Sequence, residues 1–313
     1  MADIKQLLND VKSVVEEFNH TDFAFTETDN VPCIEDDLTF GNGEVKRGKH
    51  IKTCVLYVDI RNSVKMTQHH TIEKMGKVFS AFTQSVQLAA IIHGGRVRNI
   101  IGDRVMVVFP SDNCFKNAVD CAISINHLTN YVLSKKIGGI DFQCGIGIDY
   151  GDMYCIKVGM EKRGDEREDN RRLVWVGTPA NHASRLTDFA NKEYTVFLYK
   201  VRNYFMRMPL WPRKSTYFNP SESVEIQYRE EIMTGDEAVN KILDGNSVKI
   251  EPVRKVDPYK YSPILVSQAV YEGFKNACPN YNSVKNNMWS KESQEIRDIG
   301  SSVYGADLIW QIR

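Results

Sequence analysis

The chain has 313 residues, with 40 lysines and arginines against 40 aspartates and glutamates, so its formal charge is zero. That balance leaves no overall electrostatic footprint for nucleic acid or an anionic membrane. No apolar run approaches the ~20 residues of a membrane span, and the length suits one large domain or two small ones.

In chain order, MADIKQLLNDVKSVVEEF carries acids in its first turns and is amphipathic, unlike a cleavable signal, which points to a cytoplasmic protein. Residues 2–19 read as a helix with Ile4, Leu7, Leu8, Val11, Val14, Val15 and Phe18 on one stripe, expected to pack on the domain rather than on a partner chain. Residues 26–50 are polar, contain Pro32 and three glycines, and read as an irregular connection, so 1–50 is taken as a helix and connection ahead of one domain, 51–313. The seven cysteines form no C-x-x-C pair and sit mostly in apolar stretches, as reduced core residues do.

Cys54 to Ile60 is a short apolar run rich in Val, Leu, Tyr and Ile, a buried strand interrupted by Asp59. A helix follows over 71–92, with Ile72, Met75, Phe79, Phe82, Val86 and Ala89 spaced by three and four. Residues 96–109 divide at Gly102-Asp103, a turn signal, and read as a β-hairpin with Asp103 at its tip. A second helix, 113–133, and a strand alternating through Phe142, Cys144, Ile146 and Ile148 complete a β-α-β-β-α-β order, the α+β, ferredoxin-like arrangement. Residues 161–172 are a charged loop or hairpin arm. A strand ending at Gly177-Thr178-Pro179 leads into a helix that carries Asn181 and Arg185 on one face. From 195 to 262 the pattern is weak and reads as an insertion folded onto the domain; 263–277 resume strand then helix, and 301–312 make a last strand.

If the sheet brings Asp59 beside the hairpin tip, two carboxylates share one small space, which favours a trapped proton or a divalent metal. Alone, Gly-Asp at a tip is ordinary turn chemistry, and Asp59 or Ser63 could merely cap a helix. In combination, Asp59-Ile60, Gly102-Asp103 and the spacing Gly177, Asn181, Arg185 resemble the class III nucleotidyl cyclase family, over residues 54–190 and again over 263–312.

The resemblance implies a head-to-tail homodimer in which the ribose 3′-hydroxyl attacks the α-phosphate and expels pyrophosphate. It implies two Mn²⁺ or Mg²⁺ ions per site on Asp59 and Asp103 with the Ile60 carbonyl, and a phosphate cradle from the backbone of Arg61, Asn62 and Ser63. Asn181 and Arg185 would act from the partner chain, orienting the ribose and stabilising charge on the α-phosphate. ATP-using members carry a lysine four residues before the hairpin aspartate, here Asn99, and Asp or Thr seven before the helix asparagine, here Val174. Their late Val-Lys-Gly stands here as Val303-Tyr304-Gly305, which displaces a triphosphate-binding lysine.

With Tyr57 on the strand face of Asp59, these departures resemble the pyrimidine cyclases of bacterial antiphage (Pycsar) systems, whose cyclic nucleotide is read by a separate effector. A uridylate cyclase acting on UTP is therefore expected. The alternatives are a cytidylate cyclase using CTP, a divergent adenylate or guanylate cyclase, and an inactive nucleotide-binding module.

Overall fold

The computed structural model describes residues 4–39, 45–140, 142–159, 172–207, 225–234, 248–293, 296 and 298–311. Of the charged run 161–172, all but Arg172 lies outside them. The chain divides into two compact units, residues 1–192 with 261–313, and residues 193–260.

The first unit begins with helix α1 (Ile4–Asn19) and strands β1 (Asp22–Glu27) and β2 (Val45–Ile60), then helices α2 (Ser63–His69) and α3 (Ile72–Ile92). The hairpin β3 (Arg96–Ile101) and β4 (Arg104–Val108) follows as expected, then α4 (Cys114–Leu128), which runs through a π turn at Thr129–Leu133 into α5 (Ser134–Lys136). Strand β5 (Cys144–Val158), strand β6 (Arg172–Val176) and helix α6 (Thr178–Phe189) come next. The second unit is a separate antiparallel sheet, β7 (Glu193–Arg207), β8 (Glu225–Thr234) and β9 (Val248–Lys260), ordered β8-β7-β9 around buried Val201. The first unit then closes with β10 (Ile264–Ser267), α7 (Gln268–Ala277), α8 (Asn282–Lys285), β11 (Ser290–Lys291) and β12 (Val303–Ala306).

The main sheet runs β11-β12-β10-β5-β2-β4-β3, with β1 and β6 paired to the outer reaches of β2 and β5. In its four strands β5-β2-β4-β3 each neighbouring pair is antiparallel, which gives the expected split-βαβ topology. Strand alternation sorts the two faces. Cys54, Leu56, Val58 and Ile60 of β2 join Cys144, Ile146 and Ile148 of β5 in the principal core, covered by Met75, Val78, Phe82 and Val86 of α3 and Val119 and Ile125 of α4. Ile51 and Val55 point the other way, packing with Met106, Val108 and Met153 beneath Ala180 and Ala183 of α6.

Helix α6 can lie that close because β5 presents bare backbone to it. A Cβ at Gly147 would sit 2.3 Å from the Ala183 carbonyl oxygen, and one at Gly145 would sit 2.5 Å from that of Ala190. Neither neighbour is a flexible side chain, so no local rearrangement makes room.

Three sequence expectations are corrected. Residues 45–50 are not irregular: they start β2, which pairs with β5 over twelve residues from Lys49↔Cys155 to Ile60↔Cys144, while β1 pairs parallel to the same arm. The arm is polar on its exposed side, so pairing rather than local composition makes it a strand. The last strand covers only Val303–Ala306 of the expected 301–312. Helix α1 forms as expected, yet none of its residues is buried, and its stripe from Ile4 to Phe18 stays 38–62% exposed in the single chain. Its amphipathic pattern marked a face without saying what covers it. The Lys46 ammonium lies over the Phe18 ring at 5.2 Å.

The arm is clipped by His50, whose Nδ1 meets Glu27 of β1 and whose Nε2 meets Asp152 of β5, each at 2.9 Å. Burial alone would lower the His50 pKa, but the two carboxylates outweigh it and raise it. The clip is thus fully present below the unfolded value of 6.5 and is lost as pH rises through the higher folded value. Thermal denaturation should show a pH-dependent loss of about 1 kcal/mol or less across that window, and His50→Gln should flatten it. Gly147→Ala should cost ~1–3 kcal/mol in denaturant unfolding, through forced displacement of α6.

Candidate active site

The end of β2 turns Tyr57 and Asp59 toward α6 while Ile60 enters the core at 3% exposure. The hairpin tip, with Gly102 in the left-handed region at φ 61°, delivers Asp103 to the same place. Burial pushes the Asp103 carboxyl up; a hydrogen bond from Ser63 opposes this, and the charge of neighbouring Asp59 raises it further. Its Oδ2 is buried with no hydrogen-bond partner. The sheet does bring the two carboxylates together.

Two arginines hold Asp59. Arg61, 4% exposed, places Nη2 3.6 Å from Asp59 Oδ2, and the same nitrogen donates to the Asp59 carbonyl at 3.4 Å. Its guanidinium lies against Gly145, where a Cβ would come within 2.9 Å, and burial lowers its pKa. The Arg61 N–H donates to the Gln143 carbonyl at 2.8 Å. Arg61 therefore supports the carboxylate from below, which leaves the expected phosphate-facing turn to Asn62, at φ 59°, and Ser63.

Arg104 is the second. Its Nη2 donates to Asp59 Oδ2 at 2.9 Å and to Asp188 Oδ1 of α6, and its Nη1 donates to Ser184 Oγ at 2.9 Å. The two carboxylates overcome the cost of its burial and raise its pKa. Sequence reasoning missed Arg104. Its signal is register: Val58 pairs with Val105, so one further antiparallel step sets Arg104 opposite Asp59.

Tyr57 is half-buried, its hydroxyl donates to Met106 Sδ at 3.2 Å, and Thr187 of α6 bonds its carbonyl at 3.0 Å. Burial raises the phenol pKa and keeps it protonated. Tyr57 and Asn99 both pair with Met106, from opposite sides, so the three form a row on one face. Tyr57 and Asn99 stand two strand spacings apart, ~10 Å. Asn99 is exposed and follows a bulge at Val97/Asn99.

Asn181 and Arg185 share a face of α6 with Ser184 and Asp188, the two residues that reach Arg104. With His182 and Asp298 these line a cavity of about 310 Å³. Arg185 Nη2 donates to Asp298 Oδ2 at 2.6 Å rather than to either site carboxylate. Val174 is not brought near Asp59. It pairs with Ile156, whereas Asp59 pairs with Gly145, so eleven residues of β5 separate them, ~36 Å.

No family model matches the chain. Curated relatives do. The uridylate cyclase of Burkholderia cepacia is 29% identical over 191 residues, covering 59% of this chain and 79% of that protein. The uridylate cyclase of Rhodovulum sp. (strain MB263) is 25% identical over 201 residues, covering 61% and 79%. Over 59–61% of its length the chain is similar to these uridylate cyclases. Among solved structures, the guanylate cyclase domain of RhGC from Catenaria anguillulae in complex with GTP is 14% identical with a TM-score of 0.46, covering 81% of this chain and 94% of that one. A bacterial light-regulated adenylyl cyclase is 11% identical with a TM-score of 0.49, covering 85% and 54%. The resemblance read from Asp59-Ile60, Gly102-Asp103 and Asn181…Arg185 thus agrees with the relatives found.

The donor set suits a hard divalent cation on the Asp103 side: its carboxyl has an unpartnered buried oxygen next to the Asp59 carboxylate, whose Oδ2 is taken by Arg104. Among the described residues no cluster of three or more His, Cys, Asp or Glu forms a metal site. An ion here would draw its remaining ligands from backbone, water and substrate.

Proposed function

We propose that the protein is a pyrimidine nucleotide cyclase that converts UTP to 3′,5′-cyclic UMP and pyrophosphate. The observation that carries this reading is the half-buried Asp59–Asp103 pair, with one Asp103 oxygen buried and unpartnered, in a chain similar to uridylate cyclases. In the reaction the 3′-oxygen bonds to the α-phosphorus, the α–β phosphoanhydride bond breaks, pyrophosphate departs and the hydroxyl proton is lost. Asp59, Asp103 and the Ile60 carbonyl would hold two Mg²⁺ or Mn²⁺ ions, which supply activation of the hydroxyl and neutralisation of phosphate charge. Arg61 and Arg104 keep Asp59 aimed, and Asn62 and Ser63 lie at the phosphate end.

The base faces the Tyr57–Met106–Asn99 row. Tyr57 shortens that space, and the Asn99 amide offers both donors and an acceptor to a pyrimidine edge. The same amide suits cytosine, which makes CTP the second substrate to test.

The site is composite in this reading. Val174 lies too far along β5 to act on the Asp59 of its own chain, and Arg185 is engaged with Asp298. A head-to-tail second copy would present Val174, Asn181 and Arg185 to the opposite Asp59. No helix among the described residues is long and apolar enough to cross a membrane. Within the proposal the cyclic nucleotide is an antiphage signal read by a separate effector.

Incubation with Mn²⁺ and each NTP in turn, followed by mass spectrometry, should give cyclic UMP as the dominant product; dominant cyclic AMP would overturn the pyrimidine assignment. Asp103→Ala should reduce turnover to background without lowering the melting temperature, because it removes an unpartnered buried oxygen. Arg185→Ala should lose on the order of 10²-fold in turnover. Mixed with Asp59→Ala, it should recover about a quarter of the active sites by random pairing. No recovery would mean that each site is built within one chain.

A further inference from the structure

Cyclisation takes a proton from the ribose 3′-hydroxyl, and that proton needs an acceptor. Asp59 Oδ2 already accepts from Arg104 and lies 3.6 Å from Arg61, and Asp103 is assigned to metal. A separate base has to stand beside the groups that hold the ribose. The α6 cavity contains one. Strand β5 faces α6 through Gly145, Gly147 and, two residues further along, Asp149, which is 5% exposed. Its Oδ2 meets Nδ1 of His182, on α6, at 3.0 Å.

A carboxylate only accepts, so Nδ1 carries the proton and Nε2 presents a lone pair. The two ring nitrogens point in nearly opposite directions. With Nδ1 turned down to the sheet, Nε2 is directed away from it, and the His182 ring lines the cavity of about 310 Å³. Among the described residues Nε2 has no hydrogen-bond partner. Its neighbours are the groups expected to handle the ribose and the α-phosphate: Asn181 directly precedes it, Arg185 follows three residues later, and all three line the same cavity. A buried carboxylate behind an imidazole fixes the tautomer and the ring orientation, and it stabilises the imidazolium that forms when the ring takes up a proton.

We propose that His182 is the general base of the cyclisation and that Asp149 is its positioning residue. In the step, the 3′-O–H bond breaks and its proton passes to His182 Nε2, while the 3′-oxygen bonds to the α-phosphorus. The bond from that phosphorus to the α–β bridging oxygen breaks, and its electron pair leaves with pyrophosphate. The imidazolium then returns its proton to water. The inference rests on the cyclase reading. In the composite site it places the base on the same chain as Asn181 and Arg185, across from the Asp59 of the other copy.

The test uses the full chain as wild type, His182→Ala, His182→Gln and Asp149→Asn, with UTP and excess Mn²⁺. His182→Gln fills the volume and keeps a donor for Asp149, so it separates the base from the contact. Both His182 variants should lose about 10²- to 10⁴-fold in kcat with a smaller change in KM. Added imidazole should raise the turnover of His182→Ala by about 10-fold or more and leave the wild type unchanged, a rescue that a purely structural histidine would not show. Asp149→Asn, whose amide donates as well as accepts and so admits the wrong tautomer, should lower kcat without responding to imidazole. Mixing His182→Ala with Asp59→Ala should recover about a quarter of the sites, whereas mixing it with Arg185→Ala should recover none. An active wild type with wild-type-like turnover in His182→Gln, or with a loss in His182→Ala that imidazole does not relieve, would overturn this assignment alone. A wild type inactive on every NTP would overturn the cyclase reading, and this assignment with it.

Discussion

The seating of α6 on the bare backbone of β5 is the constraint from which the site follows. Gly145 and Gly147 let the helix carbonyls approach to distances that no Cβ would tolerate. That approach puts Ser184 and Asp188 within reach of Arg104, and through Arg104 the helix is tied to Asp59. Helix position and carboxylate orientation are consequently one property. The same seating presents Asn181 and Arg185 along the outer line of the helix.

Electrostatics explains why two arginines attend one aspartate. A pair of half-buried carboxylates is costly, since each charge has lost water and faces a like neighbour. Arg61 and Arg104 offset that cost on Asp59, whereas Asp103 keeps an unpartnered oxygen and an elevated pKa. The asymmetry concentrates the uncompensated negative charge on Asp103, at the hairpin tip. Arg61, buried and carrying a depressed pKa, shows how far the fold goes to support this point.

The sequence made the part of the fold with core periodicity legible. The apolar stripe of α3 from Met75 to Ala89 and the alternation Cys144–Ile148 mark where residues meet the interior and formed where expected, as did the turn at Gly102-Asp103, whereas Ile72, placed at the head of the stripe, stays 78% exposed. Asp59 and Asp103 were readable because a carboxylate in an apolar strand needs a reason. What stayed hidden depends on non-local pairing. Residues 45–50 are a strand only because β5 and β1 lie alongside, and Arg104 is a site residue only through its register with β2. Helix α1 shows the opposite limit: its stripe was plain, but amphipathicity alone names no partner, and the single chain leaves it bare.

The paired arm of β2 and β5 carries a parity rule. Over twelve consecutive pairs the side chains alternate between faces, from the His50 clip at one end to Asp59 at the other. Insertion or deletion of a single residue within that ladder would invert one end relative to the other, burying an arginine-bound carboxylate or expelling a core residue. Homologous arms can therefore lengthen or shorten only in twos, in both strands together, or by adopting a bulge. The reach of β6 beyond the carboxylates is for this reason a quantised dimension of the molecule, set by counting residues rather than by tuning contacts.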